Sequence, residues 1–233
     1  IQNIEFCNWF PEDSKEAKRE NIYTAFGQID NYQVSPDQRY LAFFSQELQL
    51  LSVIDLHSQD TLWQYPAHYP AFSWVPDKNN IILTYAKETP EEISICNLDL
   101  ANFAENVLFK TPRSHAFVEQ IRWSPLGSYL ELLIIKGEDS AHGYSELIVL
   151  KKPGEVFFRI TDNINGIDWS GNEKYIILSK YTKDDYSENG ICLLDVNTLE
   201  EIPLPLSEKS PFEPFFALDH EGIYYSVINN LYQ

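Results

Sequence analysis

The sequence predicts an all-β protein, a β-propeller of four-stranded antiparallel blades, most simply five blades with the last shared by N- and C-terminal strands. Three observations predict it. First, Tyr32-Gln-Val-Ser-Pro-Asp37, Phe72-Ser-Trp-Val-Pro-Asp77, Ile121-Arg-Trp-Ser-Pro-Leu126 and Ile167-Asp-Trp-Ser-Gly-Asn172 align without a gap. They place Val34, Trp74, Trp123 and Trp169 at one repeat position, 40, 49 and 46 residues apart. A period of that length is the mark of a repeat architecture. Second, another apolar run begins six residues after each of these positions, and the intervening Ser-Pro-Asp or Ser-Gly-Asn step has turn chemistry, so each unit opens with a hairpin. Third, 44% hydrophobic and 14% aromatic residues against 22% charged describe a globular chain rich in strand formers.

The strands follow in order. Second strands are Tyr40-Leu-Ala-Phe-Phe44, Asn80-Ile-Ile-Leu-Thr-Tyr85, Tyr129-Leu-Glu-Leu-Leu-Ile-Ile135 and Tyr175-Ile-Ile-Leu178. Third strands are Leu50–Asp55, Ile93–Asp99, Leu147–Leu150 and Ile191–Asp195. Less regular fourth strands lie near Thr61–Trp63, Val107–Phe109, Val156–Phe158 and Glu201–Ile202. Four short strands per unit make a blade, a design that leaves only short sheet edges. The blades span about 30–65, 66–112, 113–162 and 163–208, all within one domain.

Fragments remain at both ends. Phe215–Val227 supplies a first hairpin, and Ile4–Trp9 with Asn21–Phe26 reads as a third and fourth strand, because Cys7 precedes Phe10 by the spacing that Cys96 and Cys192 keep to Asp99 and Asp195. Residues 209–233 and 1–29 then complete a fifth blade and remove an open edge, with polar residues 11–20 as a short helix or loop. The alternative is a part of a six- or seven-bladed propeller.

The repeat resembles the WD40-like "PD40" repeat of TolB and of the prolyl-oligopeptidase propellers, in which Ser-Pro-Asp-Gly precedes an apolar strand and a further strand ends in Asp. Ser35-Pro36-Asp37, Pro76-Asp77, Ser124-Pro125 and Ser170 carry the resemblance, with Asp55, Asp99 and Asp195 at third-strand ends. Gln38 and Lys78 depart from it where the family has Gly, and the third blade has Lys151 in place of the terminal Asp. The resemblance implies a fold and says little of function.

With 35 Asp plus Glu against 17 Lys plus Arg, the net charge is −18, a field that repels phosphate backbones and anionic lipids and favours a basic protein partner or a metal ion. Cys7, Cys96 and Cys192 are too scattered for a disulfide framework and read as small buried apolar residues. No apolar run has the length of a membrane span. The compartment stays open between cytoplasm and, if a leader has been removed, periplasm.

Function is expected on the face built from second-to-third-strand loops and blade-to-blade connections. The connections carry Tyr65, His68, Tyr69, His115, Phe117, Phe212 and Phe215, and the loops carry Glu138, Asp139, His142, Tyr144, Asp184 and Asp185. Exposed aromatics rimmed by charge are the chemistry of a protein- or peptide-binding surface. The first-strand tryptophans, by contrast, are expected to fill the wedge between blades. Asp185, Ser187 and Asn189 around Gly190 match the opening half of a calcium loop, although Val196 stands where the bidentate Glu belongs. No other cofactor is expected. Gly143-Tyr-Ser145-Glu-Leu147 lacks the second glycine of a nucleophile elbow. Two alternatives to a non-catalytic scaffold stand: a carbohydrate-active hydrolase or lectin-like glycan binder, with Asp30, Glu119 and Asp168 as channel carboxylates, and an inhibitor or immunity protein for a basic partner.

Overall fold

In the computed structural model, the described residues are 2–8, 18–25, 28–137, 144–151, 154–180, 190–204, 211–216 and 223–227. They form strands and turns with no helix among them. Four four-stranded antiparallel sheets follow one another along the chain. Blade 1 comprises β3 (Ile29–Val34), β4 (Tyr40–Ser45), β5 (Leu50–Asp55) and β6 (Thr61–Pro66). Blade 2 comprises β7 (Phe72–Trp74), β8 (Ile82–Glu88), β9 (Glu92–Asp99) and β10 (Ala104–Pro112). Blade 3 holds β11 (Ala116–Trp123), β12 (Tyr129–Lys136), β13 (Tyr144–Lys151) and β14 (Glu155–Asp162). Blade 4 holds β15 (Ile164–Trp169), β16 (Tyr175–Lys180), β17 (Gly190–Asp195) and β18 (Glu201–Pro203).

Four more strands flank these sheets, β1 (Gln2–Asn8), β2 (Lys18–Ala25), β19 (Pro211–Phe216) and β20 (Ile223–Val227). Among the described residues, β1 pairs with β2 and β19 with β20, as two separate two-stranded sheets. The polar segment expected as helix or loop gives way to strand at Lys18, and 9–17 lie outside the described residues.

The turns explain why Ser-Pro-Asp recurs. Ser35, Ser124 and Ser170 each accept, through Oγ, the backbone N–H of the first residue of the next strand, at 2.9 Å in all three blades. Asp37 and Asp77 accept the backbone N–H groups of Arg39 and Asn79. The position where the related repeats have Gly is left-handed here: φ is 62° at Gln38, 72° at Gly127 and 57° at Glu173.

Second and third strands are buried on both faces, so they read as near-continuous apolar runs, and the core is divided among the joints between sheets. Ala42, Phe44 and Leu51 of blade 1 pack against Phe72, Trp74 and Leu83 of blade 2. Ala86, Ile93 and Ile95 of blade 2 pack with Trp123, Leu130 and Ile148 of blade 3. Leu133, Leu147 and Phe158 of blade 3 pack with Ile167, Trp169 and Leu178 of blade 4. The three tryptophans are the wedges, each under 8% exposed. Each also donates its indole N–H to the preceding blade: Trp74 to the Gln33 carbonyl (3.0 Å), Trp123 to Thr84 Oγ1 (2.8 Å) and Trp169 to Glu131 Oε2 (2.7 Å). A buried indole needs such a partner, and here the partner fixes one blade against the next.

Candidate functional site

The antiparallel pairing puts the second-to-third-strand turns and the blade connections at one end of the sheets, where backbone hydrogen bonds tie them together. Ala67 N–H donates to the Gln49 carbonyl (3.0 Å), Arg113 N–H to Glu91 (3.0 Å) and Gly137 N–H to His115 (3.0 Å). Tyr69 and His115 hold left-handed backbone (φ 48° and 51°), which marks tight turns at these connections.

A cleft of about 80 Å³ opens on this end between blades 1 and 2, with Tyr65, His68, Pro70, Glu88 and Arg113 on its walls. Tyr65 is half-buried, with its ring 5.3 Å from that of Tyr85, and burial pushes its phenol above the ordinary range. His68 is exposed. Tyr69 is 60% exposed, with its ring 5.5 Å from Phe44 and its hydroxyl accepting from Gln46 Nε2. Arg113 Nη2 pairs with Glu88 at 3.3 Å across the cleft.

The remaining expected residues divide. His115 and Phe117 are exposed on the next connection and on β11, and Tyr144 is at the exposed start of β13. Glu138, Asp139, His142, Asp184 and Asp185 lie outside the described residues, as does the calcium-like set Asp185, Ser187 and Asn189. The side chain of Phe212 is likewise outside, whereas Phe215 is described and exposed. Among the described residues, no group of three or more His, Cys, Asp or Glu side chains is placed to hold a metal ion.

First strands line the inner side of the blades. Gln33 on β3 reaches the Phe72 carbonyl on β7 (3.0 Å), and Arg122 on β11 reaches β15. A polar cavity of about 350 Å³ lies between β11, β15 and β19. Arg122 Nη1 donates to Asp168 Oδ1 (3.0 Å) and to the Ile167 carbonyl (2.9 Å), and its Nη2 and Nε face the Gln120 side-chain oxygen at 2.8 and 3.0 Å. Asp168 Oδ2 accepts the Phe216 N–H (2.9 Å), so this carboxylate is engaged on both oxygens. Asp30 and Glu119 are exposed residues absent from the cavity wall, so the three candidate carboxylates do not share it.

Sequence reasoning missed a buried acid. Glu131, at the middle of β12, has no exposed surface; one oxygen takes the Trp169 indole N–H, and the other has no partner among the described residues. Burial raises its carboxyl to about 7, against the pull of the nearby Arg122. Only an apolar strand interrupted by a single Glu signalled it. Two of the three cysteines are buried as expected, the side chain of Cys7 lying outside the described residues: Cys96 and Cys192 are free thiols that burial pushes up to about 11, hence unreactive. Each lies beside an ion pair, Lys87–Glu105 (2.9 Å) and Lys180–Glu201 (2.6 Å) respectively.

The chain matches no protein-family model and no curated protein sequence. Among solved structures it is similar to TolB from Acinetobacter baumannii (TM-score 0.61, 14% identity, 91% of this chain and 52% of that one). It is also similar to the Pyrococcus horikoshii acylaminoacyl peptidase (0.59, 16%, 80% and 33%) and to the Dos1 propeller (0.57, 11%, 86% and 53%). The chain thus spans about half the length of the TolB chain. At these identities the likeness concerns the fold, and the fold is a β-propeller.

Proposed function

We propose that this β-propeller is a non-catalytic binding scaffold that holds a protein or peptide partner on its loop end. The observation that carries the reading is the cleft between blades 1 and 2, whose walls bring exposed His68 together with the Glu88–Arg113 pair, with Tyr69 exposed on the same blade connection. Rigid aromatic rings presented from tied-down turns lose little freedom on binding. The net charge of −18 favours a basic partner and speeds its encounter. An inhibitor of a basic protein is a special case of this reading. Against catalysis stands Asp168, whose oxygens already serve Arg122 and the Phe216 amide.

The test is quantitative co-purification from the native host with three proteins: wild type, the double variant His68→Ala/Tyr69→Ala, and Leu126→Ser at the opposite end. Partners that the double variant loses and Leu126→Ser retains support the loop end. Equal recovery by all three removes it.

A further inference from the structure

The residue just before the first-strand wedge position crosses to the neighbouring sheet in blades 1, 3 and 4. In blade 1 it is Gln33, whose Nε2 donates to the Phe72 carbonyl (3.0 Å), and in blade 3 it is Arg122, whose Nη1 donates to the Ile167 carbonyl (2.9 Å). Phe72 and Ile167 hold the same repeat position, so these two bonds are one tie made twice. A neutral amide suffices for the first. The second uses a guanidinium and adds Asp168 Oδ1 (3.0 Å), while Asp168 Oδ2 holds the Phe216 N–H (2.9 Å). Arg122 and Asp168 thus link β11, β15 and β19 in series along the wall of the polar cavity.

Blade 3 is set apart by what stands across the ladder. Gln33 opposes Ala42, Ser73 opposes Thr84 and Asp168 opposes Ile177, whereas Arg122 opposes Glu131. Directly opposed residues share one face of a sheet, with Cβ atoms about 4.5–5.5 Å apart. The guanidinium and the fully buried carboxyl are therefore neighbours, yet each is bonded elsewhere. Glu131 takes the Trp169 indole N–H on one oxygen, and its other oxygen has no partner among the described residues. The third strand opposes Glu131 with Val149, and β16 adds Ile176 and Leu178 to the joint, so the charged groups that bear on it are Arg122 and Asp168. Two acids flank one base, and the base is committed to Asp168. Both edges of the guanidinium are in use, Nη1 toward β15 and Nη2 with Nε toward Gln120, so a third partner must displace one of them. A buried carboxylate needs a partner, and this arrangement therefore suits Glu131 only while it is neutral.

We propose that Arg122 is a proton-controlled latch between blades 3 and 4. While Glu131 is neutral, the guanidinium ties β11 to Asp168 and Ile167. When Glu131 ionises, it draws the guanidinium to its orphan oxygen, the tie to β15 opens, and the cavity wall presents the bare Asp168 carboxylate in place of an ion pair. Burial puts the change of charge at about 7, where a small shift in acidity works the latch. The latch is independent of the loop end.

The test is a pair of wild-type crystal structures at about pH 5 and about pH 9, where two units to either side of the midpoint leave about 1% of the other form. At low pH the Arg122–Asp168 bond is expected to be present. At high pH the guanidinium is expected within about 3 Å of Glu131, with the Asp168 bond gone. In solution the Arg122 Nε–H resonance should titrate with a midpoint near 7, and in Glu131→Gln, whose amide oxygen still accepts from Trp169, it should stay at its low-pH position. An Arg122–Asp168 bond kept in both crystals overturns the proposal, and the wild-type crystals decide this without any variant. So does a resonance that fails to titrate near 7, or one that titrates equally in Glu131→Gln.

Discussion

Blades 2 and 3 are joined by Trp123 and blades 3 and 4 by Trp169, yet the two joints are built from different chemistry. Thr84 on β8 and Glu131 on β12 occupy one register position, each paired with the first strand on one side and the third on the other. At the first joint, Trp123 donates to Thr84, and Thr84 donates in turn to Asn97 Oδ1 (2.7 Å), a neutral relay. At the second, Val149 stands where Asn97 stands, so the carboxyl that receives the Trp169 N–H keeps an orphan oxygen in an apolar core. The wedge is thus repeated, but its receptor is not. One tryptophan meets a neutral acceptor, and the other a carboxyl that burial raises to about 7.

The largest effects come from removing the wedges. Trp169→Ala and Trp123→Ala are each expected to cost about 3–5 kcal/mol in urea unfolding. At pH 8 the Trp169 variant loses more, because Glu131 loses its one donor, and at pH 5 the two costs converge. Glu131→Gln comes next. The native carboxyl sits near 7 against an ordinary 4.5, so its stabilising form is the protonated one. That contribution is complete below pH 4.5 and lost as pH rises through 7, a swing on the order of 3 kcal/mol. Denaturation from pH 4 to 8 should show wild type losing this stability and Glu131→Gln not; parallel profiles would refute the assignment. Thr84→Val is the smallest, about 1–3 kcal/mol, because it leaves the Trp123 N–H and the Asn97 oxygen unpaired. Its cost should be equal at pH 5 and 8, and a pH-dependent cost would break the contrast between the joints.

The joints were half legible in the sequence. Trp74, Trp123 and Trp169 announced themselves by alignment, because blades 2, 3 and 4 bury the same residue type at this repeat position, where blade 1 has the half-buried Val34. Their acceptors did not, since Thr84 and Glu131 become equivalent only once strand pairing is known. The same holds for Lys87, Cys96 and Glu105, which match Lys180, Cys192 and Glu201 register for register, while blade 3 puts Ile134, Ile148 and Val156 there. Either a buried thiol under an ion pair or three aliphatic side chains fills that place, and sequence spacing hides the choice because loop lengths differ. At the loop end, Tyr65 and His68 were readable from their place between blades. The part played by Glu88 and Arg113 was not, since it arises from two loops meeting across a cleft.

The direction of the indole bonds bears on how the ring is made. Every one runs backwards: Trp74 reaches Gln33, Trp123 reaches Thr84, and Trp169 reaches Glu131. On the ribosome, then, each newly finished blade leaves an apolar slot and an unclaimed acceptor until the following tryptophan emerges. At about 5–20 residues per second, one repeat is a wait of several seconds. Assembly has a vector, each unit being a template for its successor, and the buried glutamate of blade 3 stays in water until blade 4 arrives to cover it.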